Sequence, residues 1–207
     1  MKRVKAVSFF VAVAIYVTIF ASASHAVQDF SANVILKGAK QELNGKVRVG
    51  FCKIRVEIEK IIYIERTDLN PDVAWVIAPE TKTYFEVPLS RAFFPWNVWL
   101  AAAWPYGEKL PELKEDDVVN GQHAFKYTME VDLGSKSRVV GYVWVDKSSG
   151  VVLKMTNIYE NGLSDSIEFN DIKISNQPVE FFEVPSGYTK TPFDEKTYSD
   201  PLRGKAV

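Results

Sequence analysis

Two histidines and one cysteine set a narrow limit on the nucleophilic and metal chemistry open to this chain. His25 falls in an N-terminal leader, so His123 is the only imidazole left for a Cys–His or Ser–His pair. It follows Asn120-Gly121-Gln122, a turn sequence, and is expected at the surface. No serine sits in a nucleophile elbow, since Ser149-Gly150 reads as a plain turn. Cys52 is expected as a buried, inert thiol, with an intermolecular disulfide as the alternative. A zinc site of His and Cys ligands is out of reach, and Asp116-Asp117, Asp165 and Asp171 show no calcium-loop alternation. Glu57, Glu59 and Glu65 lie among Lys53, Arg55, Lys60 and Arg66, which predicts cross-strand ion pairs on a wet sheet face. A glycosidase built on paired carboxylates would rest on composition alone. The chain therefore reads as a non-enzyme that needs no cofactor or metal.

The chemistry the residues do favour is apolar. Segment 89–104 (LSRAFFPWNVWLAAAW) places Phe93, Phe94, Trp96, Trp99 and Trp104 in sixteen residues. Ser90 suits a helix cap, and Pro95 a first helical turn. Trp96, Trp99, Leu100 and Ala103 then share one helical face. Such a helix either plugs a hollow permanently or covers it as a movable lid. The residues expected to line that hollow are Trp75, Ile77, Phe85, Phe125, Tyr127, Val143 and Met155, with Phe94, Trp96 and Trp99 as the lid. The choice of inward face rests on alternation.

These side chains must be held by strands. Short alternating runs recur about every ten residues: Phe30 to Leu36, Gly45 to Val49, Ile54 to Ile58, Ile61 to Ile64, Val73 to Ala78 and Thr83 to Val87. Ala124 to Val131, Arg138 to Val145, Val151 to Tyr159 and Leu163 to Ile174 follow. Period two broken by turn residues predicts an antiparallel meander. Asn161-Gly162 is a tight-hairpin signal. About ten strands in one domain predict a mainly β fold, a strongly curved half-open β-barrel with a short helical lid. A barrel of this size can hold one small ligand or acyl chain. The acidic stretch Glu112 to Asp117 is predicted as an exposed loop, and residues 191–207 as a polar tail.

The leader itself has three parts. Lys2, Arg3 and Lys5 precede an apolar run from Ala6 to about Phe20, and Ser24 and Ala26 fit a signal-peptidase site. Residues 1–26 are thus predicted as a cleaved signal peptide, with cleavage after Ala23 or an uncleaved anchor as alternatives. Either way the domain, residues 27–190, lies across the membrane. Cleavage removes three of the 25 basic and none of the 26 acidic residues, leaving 181 residues with a formal charge of −4. That balance argues against nucleic acid as a partner.

Several segments, in order, resemble the LolA/LolB superfamily of periplasmic lipoprotein carriers. Phe30-Ser31-Ala32-Asn33-Val34 is similar to its first strand, and Gly45 to Val49 with Lys53 to Glu57 to its second and third. Trp75 with Pro79 and Thr83-Tyr84-Phe85-Glu86 resembles a hairpin of that group. Trp144-Val145-Asp146, Gly150 to Lys154 and Phe182 to Tyr188 resemble its closing pattern. The resemblance implies an incomplete barrel of about eleven strands, a lid at residues 89–104, and binding of lipid or lipoprotein acyl chains in the periplasm. It also implies an envelope protein partner and transient membrane contact. The group's opening helix has no counterpart here. Its cavity arginine aligns near Phe51, leaving Arg48 or Arg55 as substitutes. The competing expectation is a sensor or interaction domain that uses the outer sheet surface.

Overall fold

Alternation in the first strand decides the rest of the architecture. In β1 (Phe30–Lys37), Phe30, Ala32, Val34 and Leu36 are buried and the residues between them are not, so one face is dry from the start. The computed structural model describes residues 28–38, 41–69, 73–88, 113–132, 138–159 and 162–193. The expected signal peptide and the lid segment 89–104 lie outside them.

From β1 the chain folds back on itself five times. The strands are β2 (Glu42–Gly50), β3 (Lys53–Ile58), β4 (Ile61–Arg66), β5 (Val73–Ala78) and β6 (Thr83–Pro88). A second meander follows: β7 (Leu113–Val119), β8 (Gln122–Asp132), β9 (Arg138–Asp146), β10 (Val152–Tyr159) and β11 (Ser164–Ile174). β11 pairs with β1, which fuses the two meanders. A 3-10 turn, Val179–Phe182, and a two-residue strand β12 (Thr189–Lys190) complete the elements of the described residues. The result is one twelve-stranded sheet in the order β12, β6, β5, β4, β3, β2, β1, β11, β10, β9, β8, β7. All pairings are antiparallel except β12 on β6. The sheet is mainly β, curved and open, with its two edges at β7 and β12.

The turns are tight for physical reasons. Asn120 and Gly121 both take positive φ, 51° and 81°, the pair of values a two-residue primed turn needs between β7 and β8. Cys52 (φ 55°) does the same at the β2–β3 tip. Close strand approach is set by Gly45, where a Cβ would stand 2.2 Å from the Glu57 carbonyl oxygen.

Two expectations change. The acidic stretch read as a loop is the edge strand β7, in which Glu115 and Asp116 are exposed. Charges along an edge are what keep it from pairing with another chain. The polar tail also begins later than expected: Thr191 donates its N–H to the Tyr84 carbonyl, and Phe193 lies 5.3 Å from the Phe85 ring.

Candidate functional site

Cross-strand register sorts the side chains into two faces. One row runs Ala32, Val47, Val56, Tyr63, Val76, Phe85 from β1 to β6. A second runs Leu43, Leu36, Ile167, Met155, Val143, Tyr127 from β2 to β8. Together they form the inner face, and nearly all of these side chains belong to the largest apolar cluster. Burial is deepest in the middle of the sheet, at Val56, Met155 and Ile167. It slackens toward the flanks, where Phe85, Phe125 and Tyr127 are half-buried. Burial pushes the Tyr127 phenol above its ordinary pKa, so it stays neutral.

The inner face carries a few polar groups. Glu65 pairs with Ile54 and Ala74 in register and is 4% exposed. This corrects the reading of Glu65 as a wet-face residue: parity along β4 turns it inward, while Glu57 remains on the other face and binds Arg55 at 2.8 Å. Near the opposite end, buried Asn157 donates to Asp165 at 2.9 Å.

The outer face is covered by the chain itself over β2 to β6. Residues 175–191 leave β11 and cross this surface. The Gln177 N–H bonds to Asp29, Phe182 is 1% exposed against Ile64 and Ile77, and β12 docks on β6. Three arginines on successive strands hold this strap. Arg48 donates to Gln177 at 3.2 Å and lies 4.0 Å over the Phe181 ring. Arg55 donates to the Phe181 carbonyl at 3.1 Å. Arg66 donates to the Phe182 carbonyl at 3.3 Å and pairs with Asp68 and Glu183. The hydrogen bonds to Asp68 raise the Arg66 pKa, and those from Arg66 hold Asp68 below the usual carboxylate value.

Over β7 to β10 the outer face is dressed differently. Trp144 donates its indole N–H to Asp117 at 2.8 Å, which holds that carboxyl low. Lys126 sits 5.1 Å over Tyr142 and 5.5 Å over Trp144, and Lys154 sits 5.2 Å over Trp144. Glu115 pairs with Lys126 at 2.6 Å.

The predicted lining residues therefore divide. Phe85, Phe125, Tyr127, Val143 and Met155 share the inner face. Trp75 and Ile77 are on the outer face, under the strap, with the Trp75 indole N–H on Glu86 at 3.3 Å. Phe94, Trp96 and Trp99 lie outside the described residues. Arg48 and Arg55 stand opposite one another on β2 and β3, both on the outer face, so neither serves as an inward-facing arginine. His123 is exposed, and the Cys52 thiol is free. Among the described residues no cluster of His, Cys, Asp or Glu is arranged to hold a metal. Glu65 and the strap were the features missed. A buried carboxylate carries no sequence signal, but the apolar run Val73 to Ala78 was one sign that β5 is covered on both faces.

No family model matches the chain, and no curated protein is significantly similar to it. Among solved structures, PNGF-II is similar over 83% of this chain and 32% of its own, with 14% identity and a TM-score of 0.44. A LolA superfamily protein of Nitrosomonas europaea is similar over 78% of this chain and 94% of its own, with 14% identity and a TM-score of 0.39. The Pseudomonas aeruginosa MucA/MucB complex is similar over 76% and 56%, with 15% identity and a TM-score of 0.40. The chain thus spans about a third of the first and just over half of the third. The LolA-type likeness expected from the sequence recurs among these folds, and the residues themselves must carry any argument about function.

Proposed function

We propose that this chain is exported to the periplasm and there binds the acyl chains of a lipid or lipoprotein, without catalysis, on the inner face of its open sheet. One observation carries this reading. Apolar side chains run unbroken in register across the inner face, from Tyr127 on β8 to Leu43 on β2, in a sheet that stays open. A curved sheet of this width has room on its inner face for one small ligand or acyl chain, and an open one keeps access from its flanks. In this reading Phe85, Phe125 and Tyr127 meet the ligand first, and Val143 and Met155 form the floor. Phe94, Trp96 and Trp99 supply the cover, from the segment that joins β6 to β7. Trp75 and Ile77 hold the strap and make no ligand contact. A chain of about sixteen carbons buried there gains ~10 kcal/mol before association costs. The poverty of nucleophiles, bases and metal ligands supports a carrier over an enzyme.

Native mass spectrometry and lipid extraction of the exported protein test this. Copurifying lipid is expected, lost in Tyr127→Asp and in Trp96→Ala plus Trp99→Ala, and kept in the outer-face variant Lys154→Gln. Protein that stays empty after incubation with phospholipid, or that loses lipid equally in all three, overturns it.

A further inference from the structure

The inner face is apolar along most of its length, and one place on it is polar. Asn157 lies two residues beyond Met155 on β10, on the same face, and is 8% exposed. In register it stands between Asp165 on β11 and Gly141 on β9. One row back, Ile167, Met155, Val143 and Tyr127 cross from β11 to β8. Gly141 has no side chain, so nothing from β9 at that row stands between Asn157 and Tyr127, whose strands are about 10 Å apart.

Asp165 settles how Asn157 is turned. A carboxylate only accepts, so the bond at 2.9 Å comes from the amide nitrogen, and the carbonyl oxygen is turned from Asp165. Among the described residues that oxygen meets no donor, and the Tyr127 hydroxyl makes no hydrogen bond. Leucine would hold this part of the floor without a polar atom to satisfy. A buried acceptor left unmet destabilises the fold, so Asn157 is well placed only for a donor that comes from outside the chain.

Charge narrows what that donor belongs to. Among the described side chains the inner face carries two carboxylates, Glu65 and Asp165. At its flank Lys147 lies 4.6 Å over the Phe125 ring, two rows from Gly141, and is paired with Asp116 at 2.8 Å. Exposed His123 stands beyond Phe125 on the same flank. A free fatty acid would set its anion near Asp165 with no unpaired cation among the described side chains to receive it. An ester offers a carbonyl to the Tyr127 hydroxyl but nothing to Asn157. An amide offers both, since its carbonyl accepts from Tyr127, its N–H donates to Asn157, and it carries no charge.

We infer that Asn157, with Tyr127 across Gly141, is a subsite for an uncharged amide at the head of an acyl chain. This rests on the reading of the inner face as an acyl-binding surface and adds a choice to it: amide before ester, and ester before free fatty acid.

The test uses the exported protein and three twelve-carbon probes, N-methyldodecanamide, methyl dodecanoate and dodecanoate, at pH 8. Their affinities are read by displacement of a fluorescent apolar dye. The amide is expected to bind about tenfold tighter than the ester, the worth of one hydrogen bond to a buried acceptor, and dodecanoate weakest. In Asn157→Leu, of similar volume and without an acceptor, the amide should fall to the affinity of the ester, which is unchanged. In Tyr127→Phe both should weaken several-fold and keep their ratio. Equal binding of amide and ester by the unaltered protein overturns the subsite and leaves the acyl-binding surface standing, whereas no binding of any probe overturns both. Dodecanoate that matches the amide, or an amide preference that survives Asn157→Leu, also overturns the subsite. If Asn157→Leu does not fold, the ratio in the unaltered protein and Tyr127→Phe decide, and an amide affinity unchanged in Tyr127→Phe counts against it. The amide could belong to an N-acylated protein terminus or an N-acylated lipid, and the mass of copurified material separates these. Copurified chains that mild alkali frees completely are esters, and they overturn the inference.

Discussion

One sheet face is covered in two different ways, and the contrast shows what each kind of cover costs. Over β2 to β6 the outer face is sealed by the chain's own strap, with Phe182 driven between Ile64 and Ile77. Over β7 to β10 no such layer is found among the described residues, and Trp144 and Tyr142 are shielded by the stems and ammonium groups of Lys126 and Lys154. The first solution uses apolar burial, which is large and insensitive to salt. The second uses cation–π contacts, each worth about 0.5–1 kcal/mol near the surface. The two halves should therefore differ in how much a single substitution costs and in how that cost responds to pH and ionic strength.

The largest effect is expected at the strap. Phe182→Ala empties a site packed on all sides, and such truncations cost about 3–5 kcal/mol. Chemical denaturation should show a loss in that range. A loss under about 1 kcal/mol would mean that the strap rests on the sheet without sealing it. Arg66→Ala comes next. It removes the donor for the Phe182 carbonyl and the cation shared by Asp68 and Glu183, leaving Asp68 only its longer contact with Lys53 at 3.8 Å. Both carboxylates are partly exposed, so solvent screens the penalty, and about 2 kcal/mol is expected.

The contrast also explains what could be read from the sequence. Ten of the twelve strands announce themselves as short apolar runs bounded by turn residues, most of them with period-two alternation, and Asn120-Gly121 and Gly162 mark two of the turns. Alternation fails where both faces are dry. Val73 to Ala78 is a continuous apolar run because the inner cluster takes Val76 and the strap takes Trp75 and Ile77. Nothing in VAWVIA says which residue points which way. Glu65 was hidden for a related reason: an acid between Ile64 and Arg66 reads as solvated until register places it opposite Ile54. The strap has no period at all. Its fold depends on three arginines more than a hundred residues earlier in the chain, and that spacing has no local signature. β7 was obscured by its own edge charges.

At the β9–β10 turn, in the half without a strap, a smaller and pH-dependent effect is expected. Asp146 accepts from the N–H and hydroxyl groups of both Ser148 and Ser149. Burial alone would raise its pKa, but these hydrogen bonds outweigh it, and the folded value lies below the ordinary one. A depressed carboxylate stabilises the fold above the unfolded-state pKa of about 3.9, and that contribution disappears as pH falls through the lower folded value. Asp146→Asn should cost about 1–2 kcal/mol at pH 7. The difference from the parent should shrink when both are unfolded near pH 3. A difference that stays constant with pH would assign the cost to shape and not to charge.

The smallest effect separates the two covers most cleanly. Lys126→Gln removes one cation from two rings and from Glu115, yet leaves a stem that still lies on Trp144. Lys126 is only partly buried, so solvent and salt screen its attraction, and a loss under about 1 kcal/mol is expected. That loss should fall further between 0.05 M and 1 M sodium chloride, as the Debye length contracts from more than 10 Å to about 3 Å. Phe182→Ala, measured in the same series, should keep its full cost at every salt concentration. If Lys126→Gln instead proves as costly and as salt-independent as the strap truncation, the lysines act as apolar cover through their stems. Both halves of the outer face would then be sealed by the same force.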